Sequence, residues 1–260
     1  MQPVIILHYN EIALKGGNRD WFERQLIGNI RWALRDVAGV RVQRMSGRIA
    51  IRFTDDTRMQ TPARHRFATG DVGGDIVRIT DGLSRVFGIA NIQLGHEVRQ
   101  ERAALMEDAV AAVQRHLSVR HSEESSDEES HTQVPPSQNV RSLASLEMTR
   151  KNSSDAPGTF AVRVKRGNKS YPATSQELER EIGAVIAEAT GLGVDLEHPD
   201  LTVAVEIIED TAFVLLERVE GPGGLPVGIS GRTLTLLSSG FDSPVAAWRM
   251  MKRGCVTDFI

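Results

Sequence analysis

The first hundred residues alternate between strand patterns and helix patterns, and this alternation restricts the folds that the chain can adopt. Residues 4–9 form an apolar run typical of a buried strand. Residues 18–37 carry apolar side chains at helical spacing and begin with Asn18, a plausible N-cap. Two alternating stretches then flank Ser46 and Gly47, which predicts a β-hairpin.

Residues 74–88 predict a second helix that ends at Gly88, and residues 89–98 predict a further strand. The resulting order is βαββαβ. This is the order of a ferredoxin-like unit. The sequence therefore predicts a mixed α/β (α+β) fold whose first part is ferredoxin-like.

The composition changes sharply between residues 118 and 158. This segment is rich in serine, acidic residues and proline, and it lacks aromatic side chains. Such a composition buries too little apolar surface to offset the entropy that ordering removes. We therefore expect a disordered acidic insertion on the surface, with a regulatory or phosphorylated arm as the alternative.

Beyond this segment the chain returns to strand and helix patterns. Residues 160–165 predict a strand with three apolar side chains on one face and with Arg163 and Lys165 on the other. A helix follows at residues 175–191, with an imperfect capping-box spacing that starts at Ser175. Two more strand patterns then lead into a connector rich in glycine and proline, which marks a domain boundary.

The end of the chain predicts a strand, a tight loop and a helix in immediate succession. Residues 232–237 form a short apolar strand that we expect to be buried, and the sequence SSGFDS follows at residues 238–243. The helix at residues 244–253 then directs its N-terminal N–H groups at the loop, an arrangement that suits a phosphate. Asp242 and Ser243 are candidate caps of this helix, and a second strand begins after it.

Charge and cysteine content restrict the class of protein only weakly. The formal net charge of −3 gives no global nucleic-acid signature, although charges can be segregated locally. The single cysteine, Cys255, fits a reducing compartment, and its place at the entry to a strand predicts burial. The start of the sequence lacks a basic signal-peptide region, and no run of about 18 apolar residues occurs. We therefore expect a soluble cytoplasmic protein without a membrane span.

The terminal loop resembles the Ser-Gly-Gly-x-Asp-Ser loop of PP-loop ATP pyrophosphatases, which hold the pyrophosphate of ATP. Four stretches also appear in the order expected of tRNA 4-thiouridine synthetases, the tRNA sulfurtransferases. They are NEIALKGGNRDWFERQLIGNI, FAVRVKRGNKSYPATSQELEREIGA, VDLEHPDLTVAVEI and GPGGLPVGISGRTLTLLSSGFDSPVAAWRMMKRG. This resemblance covers nearly the whole chain except the acidic insertion.

The resemblance implies a division of the chain into domains. Residues 1–74 would form an N-terminal ferredoxin-like domain, and residues 75–220 a THUMP domain that contains the disordered insertion at residues 118–158. Residues 221–231 would be a linker, and residues 232–260 the start of a PP-loop ATP-binding domain. Since a parallel sheet needs several strands and crossovers, we expect this last domain to be cut off after its first strand and helix.

The resemblance also implies an ATP-dependent enzyme that transfers persulfide sulfur to a tRNA uridine and forms 4-thiouridine. Members of the family supply sulfur for the thiazole of thiamine as well. The implied ligands are ATP and Mg²⁺, and the implied partners are the acceptor end of tRNA and a persulfide donor such as a cysteine desulfurase. A homodimer is a further expectation.

Two other functions stay open at this point. One is a non-catalytic RNA-binding protein or fragment of the THUMP type. The other is an RNA methyltransferase or pseudouridine enzyme that shares the THUMP module, which the SSGFDS loop disfavours.

The resemblance assigns roles to individual residues. The residues expected to contact ATP are Leu236, Leu237, Ser238, Ser239, Gly240, Phe241, Asp242 and Ser243. The residues expected to contact tRNA are Lys15, Arg19, Arg163, Lys165, Arg166, Lys169 and Tyr171. No metal ligands are implied, and the catalytic cysteines of the family would lie beyond Ile260.

Several of these residues have two possible roles. Ser239 stands where the family's loop has its first glycine, and a positive φ there would cost on the order of 1 kcal/mol. Tyr171 suits either base stacking or core packing. Asp242 suits either helix capping or contact with the nucleotide and its metal. His8, on the first strand, is expected to be a structural histidine with a hydrogen-bond partner.

Overall fold

The computed structural model of the chain describes residues 1–14, 16–54, 71–127, 158–167 and 170–260. In these residues one eight-stranded sheet carries most of the fold, and a two-stranded sheet follows it. No helix of the described residues is long and apolar enough to cross a membrane.

The first region contains four strands and two helices in the predicted order. Its elements are β1 (Gln2–His8), α1 (Arg19–Ala33), β2 (Val40–Met45), β3 (Arg48–Phe53), α2 (Asp71–Ser84) and β4 (Asn91–Val98), with short 3₁₀ turns at Glu11–Leu14 and Gly16–Asn18. The strands pair antiparallel in the order β2-β3-β1-β4. Leu26 and Ile30 of α1 pack with Ile5 and Leu7 of β1 in one buried cluster. The ferredoxin-like prediction is therefore confirmed.

Details of this region differ from the prediction. Asn18 precedes α1, but its side chain makes no capping hydrogen bond. Helix α2 ends at Ser84, before Gly88, and the boundary predicted between residues 74 and 75 falls inside this helix. Because β4 pairs with the whole of β1, the sheet does not divide at that boundary. Both α2 and β4 are needed to complete the first unit.

The second region extends the same sheet. Its elements are α3 (Arg102–Asp127), β5 (Thr159–Arg166), α4 (Ser175–Thr190), β6 (Gly193–Val194), β7 (Leu201–Ile208) and β8 (Thr211–Glu220). Strand β8 pairs antiparallel with β4, which gives the order β2-β3-β1-β4-β8-β7-β5-β6. Strand β5 lies parallel to β7 and to β6. Leu105 of α3 and Leu178 of α4 pack with Phe160 of β5 in a second buried cluster.

Two predicted boundaries in this region are wrong. Helix α3 continues beyond residue 118 to Asp127, so the start of the predicted disordered insertion is helical. No glycine or proline interrupts the chain there, and arginine and glutamate favour the helix. Residues 128–157 lie outside the described residues. Helix α4 is capped one residue earlier than predicted, because Thr174 and Glu177 form a complete capping box.

The sheet is irregular at Gly95, where β4 shifts its register against β8. A side chain at this position would place its Cβ 2.0 Å from the carbonyl oxygen of Val214, so the two strands approach too closely for any residue but glycine. The sheet faces that are not covered by α1 in the first region and by α3 and α4 in the second region pack against each other. Ile6 of β1 packs with Ile208 of β7 and Phe213 of β8 in a third buried cluster, although three strand positions separate β1 from β7. The two regions therefore share a core.

The chain ends in β9 (Arg232–Thr235), α5 (Asp242–Lys252) and β10 (Val256–Phe259), and the two strands are parallel. The predicted strand, loop, helix and second strand are confirmed, and Cys255 is buried as expected. The predicted burial of the first strand is wrong, since Leu234 is 66% exposed and Leu236 is 72% exposed. Strand β9 pairs only with β10 in the described part of the chain, so no sheet surrounds it.

Candidate nucleotide loop and RNA-binding surface

The SSGFDS loop between β9 and α5 is held by hydrogen bonds between its own residues. The backbone N–H of Ser238 donates to Oγ of Ser243 over 3.1 Å, and the two hydroxyl oxygens lie 3.2 Å apart. The N–H of Gly240 donates to Oγ of Ser238 over 3.3 Å. These bonds draw the two ends of the loop together in front of the N-terminus of α5.

The N-terminus of α5 carries no side-chain cap. Phe241 occupies the cap position, and Asp242 and Ser243 are already helical. The prediction that Asp242 or Ser243 caps the helix is therefore wrong. An uncapped helix N-terminus retains N–H donors that a phosphate oxygen can accept from, and the partial positive charge there favours an anion.

The backbone of Ser239 is not strained. Among the described residues Glu209 is the only non-glycine residue with a positive φ. The cost that a Cβ at position 239 would bring in a left-handed backbone is therefore absent. Ser239 therefore differs from the glycine of the PP-loop pattern only by the volume of its side chain.

The apolar residues of the loop lie on the surface. Leu237 is 51% exposed and Phe241 is 86% exposed. Leu237 is fixed through its backbone, because its N–H donates to the carbonyl of Ile260 over 2.9 Å. The strand-core role considered for Leu236 and Leu237 is thus wrong, while their contact with a nucleotide stays a prediction.

The residues predicted to contact RNA differ in whether their charged groups already form hydrogen bonds within the chain. Lys165 of β5 is exposed on the face opposite the buried valines, as predicted. Arg163, on the same face, donates to the carbonyl of Leu196. Arg166 donates to the carbonyl of Ala173 over 2.6 Å, so it holds the loop before α4 rather than facing solvent freely. Lys15 and Lys169 lie outside the described residues.

Arg19 belongs to a partly buried network below α1. Its Nε donates to Glu23 over 2.7 Å, and its guanidinium also donates to the hydroxyl of Tyr9 over 2.9 Å. Burial raises the pKa of Tyr9 to about 12, and the hydrogen bond with Glu23 adds to the increase. Arg44 of β2 pairs with the same glutamate. Tyr9 and Glu23 are not among the residues predicted from the sequence, although the four-residue spacing of Arg19 and Glu23 is a signal of an ion pair on one helix face.

Tyr171 is part of the core. It is packed against the second buried cluster, and its hydroxyl donates to the carbonyl of Gln100 over 2.7 Å. Burial raises the pKa of this phenol. These contacts favour the core-packing role that the sequence left open.

His8 has a hydrogen-bond partner, as expected of a structural histidine. Its Nε2 lies 3.0 Å from Oε1 of Glu206 on β7, and Arg48 of β3 pairs with the same carboxylate. Three strands of the sheet thus contribute to one buried ionic cluster, which confirms the structural role of His8.

The connector that precedes β9, residues 221–231, is in contact with α1 on one side and with the end of α5 on the other. The side-chain amides of Gln25 and Asn29 on α1 both donate to the carbonyl of Val227 over 3.0 Å. The connector backbone is hydrogen-bonded to the end of α5. Phe87 and Trp248 form an edge-to-face aromatic pair with ring centroids 5.5 Å apart. These contacts fix the nucleotide loop relative to the first region.

Three family models match successive parts of the chain. Residues 4–68 match the ThiI ferredoxin-like domain, residues 142–217 match the THUMP domain, and residues 228–260 match the thiamine biosynthesis protein ThiI. The three matches follow the order of the elements described above.

Curated relatives match over almost the whole chain. The "Probable tRNA sulfurtransferase" of Thermoanaerobacter sp. (strain X514) is 34% identical over 255 residues, which are 98% of this chain and 52% of that protein. The protein of the same name from Nocardia farcinica is 34% identical and covers 98% of this chain and 50% of its own length. The chain thus spans about half the length of the curated relatives it matches.

Solved structures match the fold. A crystal structure of a 4-thiouridine synthetase–RNA complex with bound ATP has a TM-score of 0.66 and 29% identity, and it covers 100% of this chain and 52% of its own. A Pyrococcus horikoshii protein has the same TM-score with 24% identity over 99% of this chain and 68% of its own, which supports the fold alone. In sequence, domain order and fold, this chain therefore resembles the N-terminal portion of the tRNA sulfurtransferases, from the ferredoxin-like domain through THUMP to the start of the PP-loop domain.

Proposed function

We propose that the chain is the tRNA-binding part, and the first ATP-binding element, of a tRNA uridine sulfurtransferase. The observation that carries this proposal is the uncapped N-terminus of α5 behind the SSGFDS loop, in a unit packed against the ferredoxin-like region. A 4-thiouridine synthetase that matches this chain over its full length has been crystallised with RNA and ATP.

The reaction of the whole enzyme would have two stages. The C4 oxygen of a tRNA uridine would attack the α-phosphate of ATP, releasing pyrophosphate and leaving the oxygen adenylated. The terminal sulfur of a cysteine persulfide would then attack C4 and displace AMP, which leaves C4 joined to the donor cysteine by a disulfide. A second cysteine thiol, supplied by the donor or by residues outside this sequence, would attack the donor's sulfur, release 4-thiouridine and form a cysteine disulfide. The match to the ThiI family also suggests that the same sulfur serves thiamine thiazole synthesis.

The residues of the loop fit an anionic ligand. Backbone N–H groups at the start of α5 would donate to the pyrophosphate, and the hydroxyls of Ser238 and Ser243 could exchange their mutual contact for phosphate oxygens. Mg²⁺ would bind chiefly to phosphate oxygens, with Asp242 as the nearest acidic group of the loop. In the described part of the chain no three His, Cys, Asp or Glu side chains cluster as a metal site.

The sulfur would come from another polypeptide or from residues outside this sequence. Cys255 is the only cysteine among the 260 residues. It is 6% exposed, and its thiol contacts the carbonyl of Ser230 at 3.7 Å, so it is poorly placed to carry a persulfide. A cysteine desulfurase in the cytoplasm is the kind of donor that fits. A homodimer is also part of the proposal.

On the RNA side, Lys165 would contact a phosphate directly. Arg163 would do so with the guanidinium N–H groups that its bond to the carbonyl of Leu196 leaves free. Arg19 and Arg166 are engaged by groups of the chain itself, so they would act mainly by positioning the surrounding loops. Lys15 and Lys169 remain proposed contacts, and Tyr171 a weaker one because of its core packing.

Binding of tRNA tests this proposal directly. Fluorescence anisotropy with labelled tRNA should show binding that weakens steeply with salt, because phosphate contacts release counterions. Lys165→Ala should weaken binding and reduce the slope of log K against log salt by about 0.7–0.9. The control Arg85→Ala, at an exposed arginine paired with Asp81, should behave like the parent. An unlabelled tRNA without its 3′ end should compete poorly; equal competition by unrelated RNA would contradict the proposal.

A further inference from the structure

Two tryptophans of helix α1 lie on the surface of the protein. Trp21 is 45% exposed and Trp32 is 69% exposed. They are about three helical turns apart, so their side chains share one face of α1 and are separated by roughly 16 Å along its axis. Grouped apolar side chains on a surface mark interaction sites, and tryptophan is one of the residues that most often anchor protein interfaces.

Gly28 lies between the two tryptophans on the same helix face. A Cβ at this position would meet no atom within 4 Å, and φ is not positive. The fold therefore does not require glycine here, although glycine weakens a helix interior relative to alanine. The missing side chain leaves a notch between the two indoles, through which another surface can approach the helix backbone. We call Trp21, Gly28 and Trp32 the tryptophan face.

The charge beside the tryptophan face is positive. Arg24 and Arg31 are exposed and border the face on one side, each three residues after a member of it. Neither arginine forms a hydrogen bond or an ion pair within the described residues. Asp20, one turn before Arg24, is bound by Arg44. The border therefore has two arginines available to carboxylates of a partner.

The two indoles are held in place by their neighbours. The guanidinium of Arg35 lies over the ring of Trp32, 4.2 Å from its centroid. Phe22 packs edge-on against Trp21, with ring centroids 5.2 Å apart. Arg35 occupies a ring face on which a base would stack, so the arrangement favours the side chains of a protein over the bases of a nucleic acid. A fixed aromatic ring also loses little entropy when a partner binds.

The tryptophan face adjoins the connector that carries the nucleotide loop. Gln25 follows Trp21 by four residues, and Asn29 precedes Trp32 by three, so these amides are helix-surface neighbours of the indoles. Both amides donate to the carbonyl of Val227 in the connector. A protein that docks on the tryptophan face consequently lies beside the connector.

We propose that the tryptophan face of α1 is a docking site for the acidic surface of a protein partner, the cysteine desulfurase that supplies sulfur. This inference rests on the proposed function, which needs such a donor because Cys255 is buried. Apolar side chains of the donor enter the notch at Gly28 between the indoles, and its carboxylates pair with Arg24 and Arg31. The tryptophans provide most of the affinity, and the arginines steer the encounter.

Binding of the purified cysteine desulfurase of the same organism to the immobilised chain tests the docking site by biolayer interferometry. Trp32→Ala should raise Kd at least about tenfold, because a few aromatic anchors dominate the affinity of an interface. Arg24→Glu/Arg31→Glu should slow association, because the reversed charges repel an acidic partner. The control Val194→Ala, at an exposed apolar residue of β6, should match the parent.

Gly28→Ala separates docking from a structural role of α1. It should raise the melting temperature, since alanine favours a helix interior, and yet raise Kd several-fold by filling the notch. The matched control is Gly183→Ala on α4, where the new Cβ would lie 3.9 Å from Val162, an ordinary contact. This control should also raise the melting temperature but leave Kd unchanged. Tighter binding by Gly28→Ala would overturn the inference.

The same variants should bind tRNA with the affinity and salt dependence of the parent. A loss of tRNA binding by Trp32→Ala would show that the face is an RNA surface and would overturn the inference. Sedimentation of the chain alone excludes a second copy as the occupant; self-association that Trp32→Ala abolishes would also overturn it. If the parent binds tRNA but no desulfurase, this inference alone fails. A parent that binds the desulfurase but no tRNA would overturn the proposed function and leave the docking site supported.

Discussion

Glu206 is 1% exposed, and its carboxylate accepts hydrogen bonds from His8 and Arg48 of the first region. Burial raises the pKa of this carboxyl, but the bonds and charges of His8 and Arg48 outweigh burial and lower the pKa to about 2. The ordinary value is 4.5. A lowered pKa in the folded state means that ionised Glu206 stabilises the fold.

The variant Glu206→Gln should lose about 3 kcal/mol of unfolding free energy at pH 7, because it removes one partner of a buried ionic cluster. The contribution of Glu206 is fully present above its unfolded pKa near 4.5 and is lost as pH falls toward 2. The parent should therefore lose more stability than the variant between pH 5 and pH 2.5. Urea unfolding at several pH values measures both effects.

The control for this prediction is Glu188→Gln, an exposed carboxylate of α4. It should change the unfolding free energy by less than about 0.5 kcal/mol. A Glu206→Gln protein as stable as this control at pH 7 would show that the cluster does not stabilise the fold.

At the scale of elements, the connector before β9 sets the position of the nucleotide loop. Gly223 and Gly224 both have positive φ, of 64° and 77°. A Cβ at Gly224 would lie 2.3 Å from the carbonyl oxygen of Lys252 at the end of α5, while a Cβ at Gly223 meets nothing within 4 Å. The two neighbouring glycines thus differ in their contact with α5 and not in the sign of φ.

We expect Gly224→Ala to destabilise the protein by about 3 kcal/mol and Gly223→Ala by about 1 kcal/mol. Both substitutions strain a left-handed backbone, but only the first forces the connector away from α5. Thermal unfolding followed by circular dichroism and by tryptophan fluorescence measures the difference. Equal effects of the two substitutions would mean that the connector does not pack tightly on α5.

At the scale of the whole molecule, the terminal unit differs from the rest of the fold. The eight-stranded sheet is covered by helices and shares buried clusters, whereas β9 and β10 form a sheet of their own with exposed leucines. Leu236, just before the nucleotide loop, is 72% exposed, and Phe241, within the loop, is 86% exposed. In the described part of the chain the loop is therefore largely open to solvent.

We expect the 260-residue polypeptide by itself to form no 4-thiouridine. Phosphate donors accelerate a reaction when they are preorganised and shielded from water, and the exposed residues of this loop do not shield it from water. Incubation with tRNA, ATP, Mg²⁺ and a persulfide donor should release no AMP above a control without tRNA. Ser239→Gly should not create turnover, because the backbone of Ser239 has no positive φ to relieve. Multiple turnovers by the parent would contradict this expectation.

Local patterns were enough to predict most elements and the family resemblance. The spacing of apolar residues predicts the type of element, because side chains on one face recur every two residues in a strand and every 3.6 residues in a helix. The six residues of SSGFDS between a strand and a helix likewise predict an anion site, because the loop geometry there depends on neighbouring residues. The same holds for Lys165, whose exposure follows from its position in an alternating strand.

The sequence by itself therefore determined the order of elements, the ferredoxin-like unit, the SSGFDS loop between a strand and a helix, and the exposed face of β5. Only the tertiary structure decided that Arg19 and Arg166 are held by the chain itself and that Leu236 is exposed. The physical reason is the range of the interactions. Propensity and periodicity act over a few residues, whereas the partners of a charge or the layer that covers a strand come from residues far apart in sequence.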